Sequence, residues 1–356
     1  MGAETGIEWA DATVNVWEGC AKVSPACKNC YAETNSPVRA MEMRVGDAFG
    51  AKPSVDGKRR LKMWGPSGFR YETANWERSL HALNRKAAAF RAGYQAGGGA
   101  HYTRPRVFIN SLADTFEDWL GPVYQLKDGK PVVVAQSLDD VRARFFRVAE
   151  ECTELDLLLV TKRPENVLRM APLHWLSPVE QARQTTANGK RSPLIYPAEW
   201  PSHIWVGTTV ENQEYADKRI PELLKVPAKV RFLSVEPLLG KVDLGRTYEV
   251  SPANGGTLAY PLEVDDGQYG RIHWVIVGGE SGPSARPMHP DWVRKVRDRC
   301  VAGGVPFFFK QWGEYAPRLE VVNMSPPYRT EERIRKVGKK NAGRVLDGRT
   351  WDEVPR

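Results

Sequence analysis

The chain of 356 residues carries 51 Lys and Arg against 43 Asp and Glu, a formal net charge of +8, with a pI near 9.2. With 42% apolar and 10% aromatic residues it can bury a sizeable core, which excludes global disorder. No run reaches the roughly 18 uncharged apolar residues of a membrane span, and the opening MGAETGIEWAD lacks a signal-peptide pattern, so a cytoplasmic protein without a membrane partner is expected.

The first β-branched run covers residues 13–17 and leads into GCAKVSPACKNCYAE, which holds Cys20, Cys27 and Cys30, three of the chain's five cysteines. Residues 36–106 follow with fourteen Lys and Arg against five acids, including Lys58, Arg59, Arg60, Lys62, Arg85, Lys86, Arg104 and Arg106. Trp64, Phe69, Tyr71 and Trp76 are interleaved. That composition suits a phosphate-backbone contact surface with stacking rings, and equally a solvated basic insertion. Within it, Trp76, Leu80, Leu83, Ala87 and Phe90 recur at three- and four-residue intervals, which predicts a helix over 75–95 closed by Gly97, Gly98 and Gly99.

Six more runs follow at 107–111, 157–161, 204–209, 230–235, 273–277 and 306–309, near-continuously hydrophobic as buried parallel strands require. A helix over 291–302 is predicted, capped by Asp291, with Trp292, Val293, Val296 and Cys300 in a stripe and Gly303 and Gly304 ending it. Cys152 and Cys300 read as core, as do Trp17, Trp119, Trp205 and Trp274. The expected fold class is α/β, a partial (β/α) barrel of six or seven mostly parallel strands with a basic insertion and a C-terminal extension. Its divisions are 1–35 for the first strand and the cysteine loop, 36–106 for the insertion, 107–315 for the rest of the barrel and 316–356 for the extension.

Each run ends in polar or small residues, at the edge where barrels and open α/β sheets place their sites. These are Ser111 and Asp114; Thr161, Lys162 and Arg163; Thr208 and Glu211; Glu236; Gly278, Gly279, Glu280 and Ser281; and Lys310, Gln311 and Trp312. The three cysteines, spaced x6 and x2, can converge on one inorganic centre. A closed structural zinc site needs a fourth ligand, and every histidine lies at least fifty residues away in sequence. Three ligands and an open coordination position suit a site that does chemistry.

The opening ATVNVWEGCAKVSPACKNCYAE resembles the three-cysteine motif of the phage Gp37/Gp68-like family, whose members look like radical S-adenosylmethionine enzymes. The resemblance continues through VFINSLADTFED (107–118), LLLVTKRPEN (157–166), IWVGTTVENQEYADKRIPEL (204–223), VRFLSVEPLLG (230–240), HWVIVGGESGPSARPMHPDWVR (273–294), VPFFFKQWGEY (305–315) and GKKNAGRVLDGRTWDE (338–353). The x6 interval is longer than the three residues of the commonest radical-enzyme motif.

The resemblance implies a [4Fe–4S] cluster on Cys20, Cys27 and Cys30, with the open iron chelating the amino and carboxylate groups of S-adenosylmethionine. One electron, from a reductase or flavodoxin-type donor, would release methionine and a 5′-deoxyadenosyl radical that abstracts a substrate hydrogen. Tyr31, next to the last ligand, would lie near the adenine. Ser111, Asp114, Thr161, Lys162, Thr208, Glu211 and Glu236 offer groups to the amine, hydroxyls and carboxylate of the cofactor, and Gly278 and Gly279 permit close backbone approach. Glu280, Lys310 and Gln311 are the candidate catalytic residues. The expected substrate is a nucleic acid or nucleotide, modified or repaired in the host cytoplasm of a phage. Two rival readings are a non-catalytic zinc-stabilised nucleic-acid-binding protein and a non-radical S-adenosylmethionine-dependent group transfer.

Overall fold

The computed structural model describes residues 5–34, 63–66, 68–99, 101–187, 199–251, 257–263, 270–323 and 329–355. Lys58, Arg59, Arg60 and Lys62 of the predicted basic insertion lie outside them.

The hydrophobic runs become strands. In chain order these are β1 (Ala12–Val14), β2 (Trp17–Glu18), β3 (Arg70–Glu72), β4 (Arg106–Ile109), β5 (Val123–Lys127), β6 (Lys130–Ala135), β7 (Asp156–Thr161), β8 (Ile204–Thr209), β9 (Arg231–Val235), β10 (Tyr248–Ser251), β11 (Thr257–Ala259), β12 (Trp274–Gly278), β13 (Phe307–Gln311), β14 (Tyr315–Asn323) and β15 (Arg329–Lys336). Seven of them form one sheet in the order β1-β4-β7-β8-β9-β12-β13. The fold is α/β, a partial (β/α) barrel of parallel strands. β8, β9 and β12 are buried at every position, the reason their sequences show no polar alternation.

By contact density the chain divides into two units. The first comprises Met1–Ser24, Ala32–Gly207 and Val226–Lys229. Here β1, β4 and β7 pair in parallel, with Ala12 opposite Val107 and Val107 opposite Leu157. The predicted first strand is split in two. The Val16 amide donates to Asn110 Oδ1 (2.7 Å) instead of a ladder carbonyl, and Trp17–Glu18 joins a separate sheet of order β2-β3-β5-β6. The β5–β6 hairpin in that sheet was not predicted; its central side chains are half-buried or exposed and show no clear period.

The predicted helix over 75–95 is Trp76–Ala96. Trp76, Leu80 and Ala87 are buried as expected, and the Trp76 ring meets Phe145 at 6.2 Å. Phe90 is not core: it is 66% exposed. The helix Leu138–Glu151 contributes Phe145 and Phe146 to an aromatic chain that runs on through Trp175 to Trp200, successive centroids 5.0–5.4 Å apart.

The second unit comprises Pro25–Tyr31, Thr208–Lys225 and Val230–Arg356. β9, β12 and β13 are parallel, and Phe232, Trp274 and Phe308 pack in series across them. The predicted helix over 291–302 is Pro290–Ala302, and its cap is His289 rather than Asp291: His289 Nδ1 accepts from the Asp291 amide at 3.2 Å. The extension over 316–356 contains most of an antiparallel ribbon, β14 with β15. Cys152 and Cys300 are buried, as are Trp17, Trp205 and Trp274, whereas Trp119 is half-buried beneath the Arg70 guanidinium, 4.2 Å from its ring centroid.

Candidate functional site

In the first unit the polar residues that follow β4 and β7 close on the segment carrying Cys20. Asp114 is buried and accepts four hydrogen bonds. Thr161 Oγ1 (2.7 Å) and the Phe116 amide (3.0 Å) donate to Oδ1; the Lys162 amide (2.9 Å) and Arg163 Nη1 (3.0 Å) donate to Oδ2. Burial alone would raise the Asp114 pKa, but the Arg163 charge and these donors hold it below the usual carboxylate range. Arg163 Nη1 also lies 3.6 Å from Cys20 Sγ, and Nη2 donates to the Ala21 carbonyl at 2.8 Å.

Glu117 completes the arrangement. Its Oε1 accepts from the Ala21 amide (2.7 Å), and Arg70 grips both of its oxygens at 2.7 Å. Burial raises the Cys20 pKa, and Glu117 and Asp114 raise it further; Arg163 works against all three. Ser111 stands aside with its hydroxyl on Asn15 Oδ1 at 3.2 Å, and the Lys162 side chain is half-buried.

The stretch bearing Asp114 and Glu117 is braced from behind. Arg142 Nε donates to the Thr115 carbonyl (2.7 Å) and Nη2 to that of Glu117 (2.6 Å), while Asn166 Nδ2 donates to that of Phe116 (2.9 Å). Arg142 also lines a cleft of about 530 Å³ with Arg147, Glu150, Arg169 and His174.

The second unit holds Cys27, buried in the turn Pro25–Cys27, and Cys30, half-buried just before the short helix Tyr31–Thr34. Tyr31 is 53% exposed. Asn29, between the two cysteines, ties their loop to the end of β12. Its Nδ2 donates to Glu280 Oε2 (3.2 Å) and to the Ser284 carbonyl (2.7 Å). Arg286 binds the same carboxylate through its amide (2.7 Å) and guanidinium (Nε 2.8 Å) and reaches the Pro25 carbonyl at 3.0 Å. Burial would raise the Glu280 pKa, but these donors keep it low, so the residue predicted to be catalytic is an ionised clasp.

The glycines predicted to approach a ligand approach the protein itself. A Cβ on Gly279 would lie 1.9 Å from the Trp312 carbonyl oxygen, and one on Gly278 3.1 Å from the Glu236 carboxyl carbon. Glu236 pairs with Lys310 Nζ at 2.7 Å. Thr208 is buried. Glu211, just before the helix Gln213–Leu224 whose first turn Asn212 caps, accepts on Oε2 from Arg219 Nη1 at 2.8 Å. Among the described residues its Oε1 is buried without a partner, and so is Oε1 of Gln311, whose Nε2 donates to Ser281 Oγ at 3.1 Å. Both atoms are acceptors, the kind of group that a donor N–H or O–H would satisfy; a buried acceptor left alone costs about 1–3 kcal/mol.

Arg70 and the four interleaved aromatics correct the reading of the insertion as a stacking surface. Arg70 is fully buried, and Trp64, Phe69, Tyr71 and Trp76 are at most 7% exposed, so none of these rings offers a face to a base. Sequence reasoning also missed Glu117, Asn29, Arg219 and Arg286. Glu117 stood three residues from Asp114 and Asn29 between two of the cysteines, both in segments already singled out, while the roles of all four become visible only when the fold brings partners to them.

All five cysteines are free thiols. Cys20 Sγ lies 3.2 Å from the Ala21 carbonyl, to which it donates. Among the described residues no group of three or more His, Cys, Asp and Glu side chains stands in metal-holding geometry. Residues 4–355 match the family described as "Protein of unknown function (DUF5131)". The chain belongs to that family. No curated protein and no solved structure matches it. Among the described residues of this family member, no helix is long and apolar enough to cross a membrane.

Proposed function

We propose that the protein is a radical S-adenosylmethionine-type enzyme that takes a [4Fe–4S] cluster on Cys20, Cys27 and Cys30 and acts on a nucleic acid or nucleotide. The observation that carries the reading is the set of three free thiols within eleven residues, none in a disulfide, on the segment that follows β1, the first strand of the parallel sheet, and the short β2. The donor set fits in kind, since thiolates are the ligands such clusters take. Uptake needs the thiolate, so it would replace the contact of Cys20 Sγ to the Ala21 carbonyl and release protons.

The cluster and its cofactor, when bound, supply an electron to the sulfonium and hence a 5′-deoxyadenosyl radical and methionine. The protein's own share is positioning. Arg163 and Glu117 fix both sides of the Ala21 peptide beside Cys20, and Asn29 holds the turn between Cys27 and Cys30 against Glu280. The unpaired acceptors of Glu211 and Gln311 suit the amine and ribose hydroxyls of S-adenosylmethionine. Tyr31, exposed beside Cys30, suits the adenine. A reductase or flavodoxin-type protein would deliver the electron.

The test is anaerobic reconstitution followed by iron and sulfide analysis and an assay for 5′-deoxyadenosine with dithionite. About four irons and four sulfides per chain, with cleavage lost in Cys27→Ala, are expected. A colourless protein with one zinc returns the zinc-stabilised binding module. Methyl or aminocarboxypropyl transfer without 5′-deoxyadenosine returns the non-radical transferase.

A further inference from the structure

The helix Trp76–Ala96 presents an exposed stripe that the site described above does not use. Lys86, Phe90 and Tyr94 recur at four-residue intervals and so share one face over about 12 Å. Phe90 is 66% and Tyr94 40% exposed, their rings stacked at 22° with centroids 6.4 Å apart. Tyr102 also meets Phe90, their ring centroids 6.2 Å apart.

These rings are held. Tyr102 donates its hydroxyl to the Ala87 carbonyl at 3.2 Å. Gly99 bonds through its amide to the Tyr94 carbonyl (3.0 Å) and lies so close that a Cβ there would sit 2.2 Å from the Tyr94 ring. A large apolar side chain left exposed at the centre of a fixed aromatic trio has no role in the core.

Within the chain segment that bears the stripe the charge has one sign. From Arg78 to Tyr102 the chain contains Arg78, Arg85, Lys86 and Arg91 and no acid. Arg91 is neutralised by Glu154 at 2.9 Å and His81 faces Glu151 at 3.6 Å. Arg78, Arg85 and Lys86 are exposed with no ion pair among the described residues.

We propose that this face is a binding platform for single-stranded nucleic acid, with Phe90 and Tyr94 stacking on bases and Lys86, on the same stripe, taking a phosphate. Fixed π-faces beside a cation are what a flexible strand with unstacked bases requires, because every base has a face to offer. A duplex keeps its base faces stacked inside, and an acidic peptide matches the cations but not the rings. The proposal deepens the nucleic-acid part of the functional reading above and is independent of the cluster.

The test is fluorescence anisotropy of the full chain with fluorescein-labelled dT12 and U12, a labelled 12-base-pair duplex, and unlabelled poly-glutamate as competitor. Binding to dT12 or U12 is expected to weaken roughly tenfold in Phe90→Ala/Tyr94→Ala. In Lys86→Gln the slope of log affinity against log salt is expected to fall by about 0.7, one phosphate contact for a single strand. All three positions are exposed, and circular dichroism verifies that each variant keeps its helix. Absence of binding to either single strand, equal affinity for the duplex, displacement by poly-glutamate as readily as by unlabelled dT12, or an aromatic variant within twofold of wild type each overturns the proposal. Iron content and 5′-deoxyadenosine formation are measured on the same preparations, so failure of the platform and failure of the cluster reading are separately visible.

Discussion

Arg163 stands between two acceptors, its Nη1 lying 3.0 Å from Asp114 Oδ2 and 3.6 Å from Cys20 Sγ. Arginine suits this position because its planar fork reaches a carboxylate, a sulfur and the Ala21 carbonyl at once, which a lysine ammonium cannot do.

Arg163→Met leaves Asp114 as a buried carboxylate without a counter-charge. The expected loss is about 3–5 kcal/mol of stability, read from urea unfolding. Asp114→Asn/Arg163→Met is expected to lose less than the sum of the single variants, since neither then abandons a charge. Additive losses would mean that the two residues do not form one unit. Because the Asp114 pKa is depressed in the folded protein, its share of stability is present above the unfolded value near 3.9 and lost as pH falls through the folded value.

Asp156 shows the opposite sign. Burial pushes its carboxyl up to about 6, with Arg104 at 3.5 Å compensating only in part. A raised acid pKa means that the folded state holds the proton more tightly. The cost of ionising it is therefore fully present above pH 6 and relieved as pH falls towards 4. Asp156→Asn is expected to be more stable than wild type by about 1–3 kcal/mol at pH 8 and level with it near pH 4, in paired thermal melts. An advantage that grows on acidification would contradict the assignment.

The two glycines ending β12 separate on size alone. Gly279→Ala drives a methyl into the Trp312 carbonyl, backbone against backbone, and is expected to cost at least about 3 kcal/mol or prevent folding. In Gly278→Ala the neighbour is the end of the Glu236 side chain, which can swing, so a cost of about 1 kcal/mol is expected. Similar melting temperatures for the two variants would refute the distinction.

Gln311→Leu removes the unpartnered Oε1 together with one hydrogen bond to Ser281. Stability should stay within about 1 kcal/mol of wild type. S-Adenosylmethionine affinity, measured by equilibrium dialysis of the reconstituted protein, should fall about tenfold if this oxygen receives a cofactor donor. Unchanged affinity would remove Gln311 from the site.

The parallel sheet was legible because strands buried at both faces announce themselves as unbroken hydrophobic runs, as in IWVGTT of β8 and WVIVG of β12. Small sheets were not: Val123–Lys127 and Lys130–Ala135 are partly exposed and lack that signature. The strand-end residues were found, but their partners were not. Asp114 and Arg163 are 49 positions apart, and Asn29 and Glu280 are 251 apart. Composition also misled over the insertion, where Arg70 and four aromatics look like a binding surface and are core, while Phe90 looks like core and faces solvent.

The brace behind Asp114 and Glu117 has a dynamic corollary. Arg142 and Asn166 hold three successive carbonyls of this stretch, and the Asp114 carboxylate and carbonyl hold the Phe116 and Glu117 amides. The Phe116 and Glu117 amides of a segment without regular secondary structure are thereby expected to be protected like those of a strand. Their deuterium uptake should follow the slowest, whole-unit opening rather than the fast fraying typical of loops.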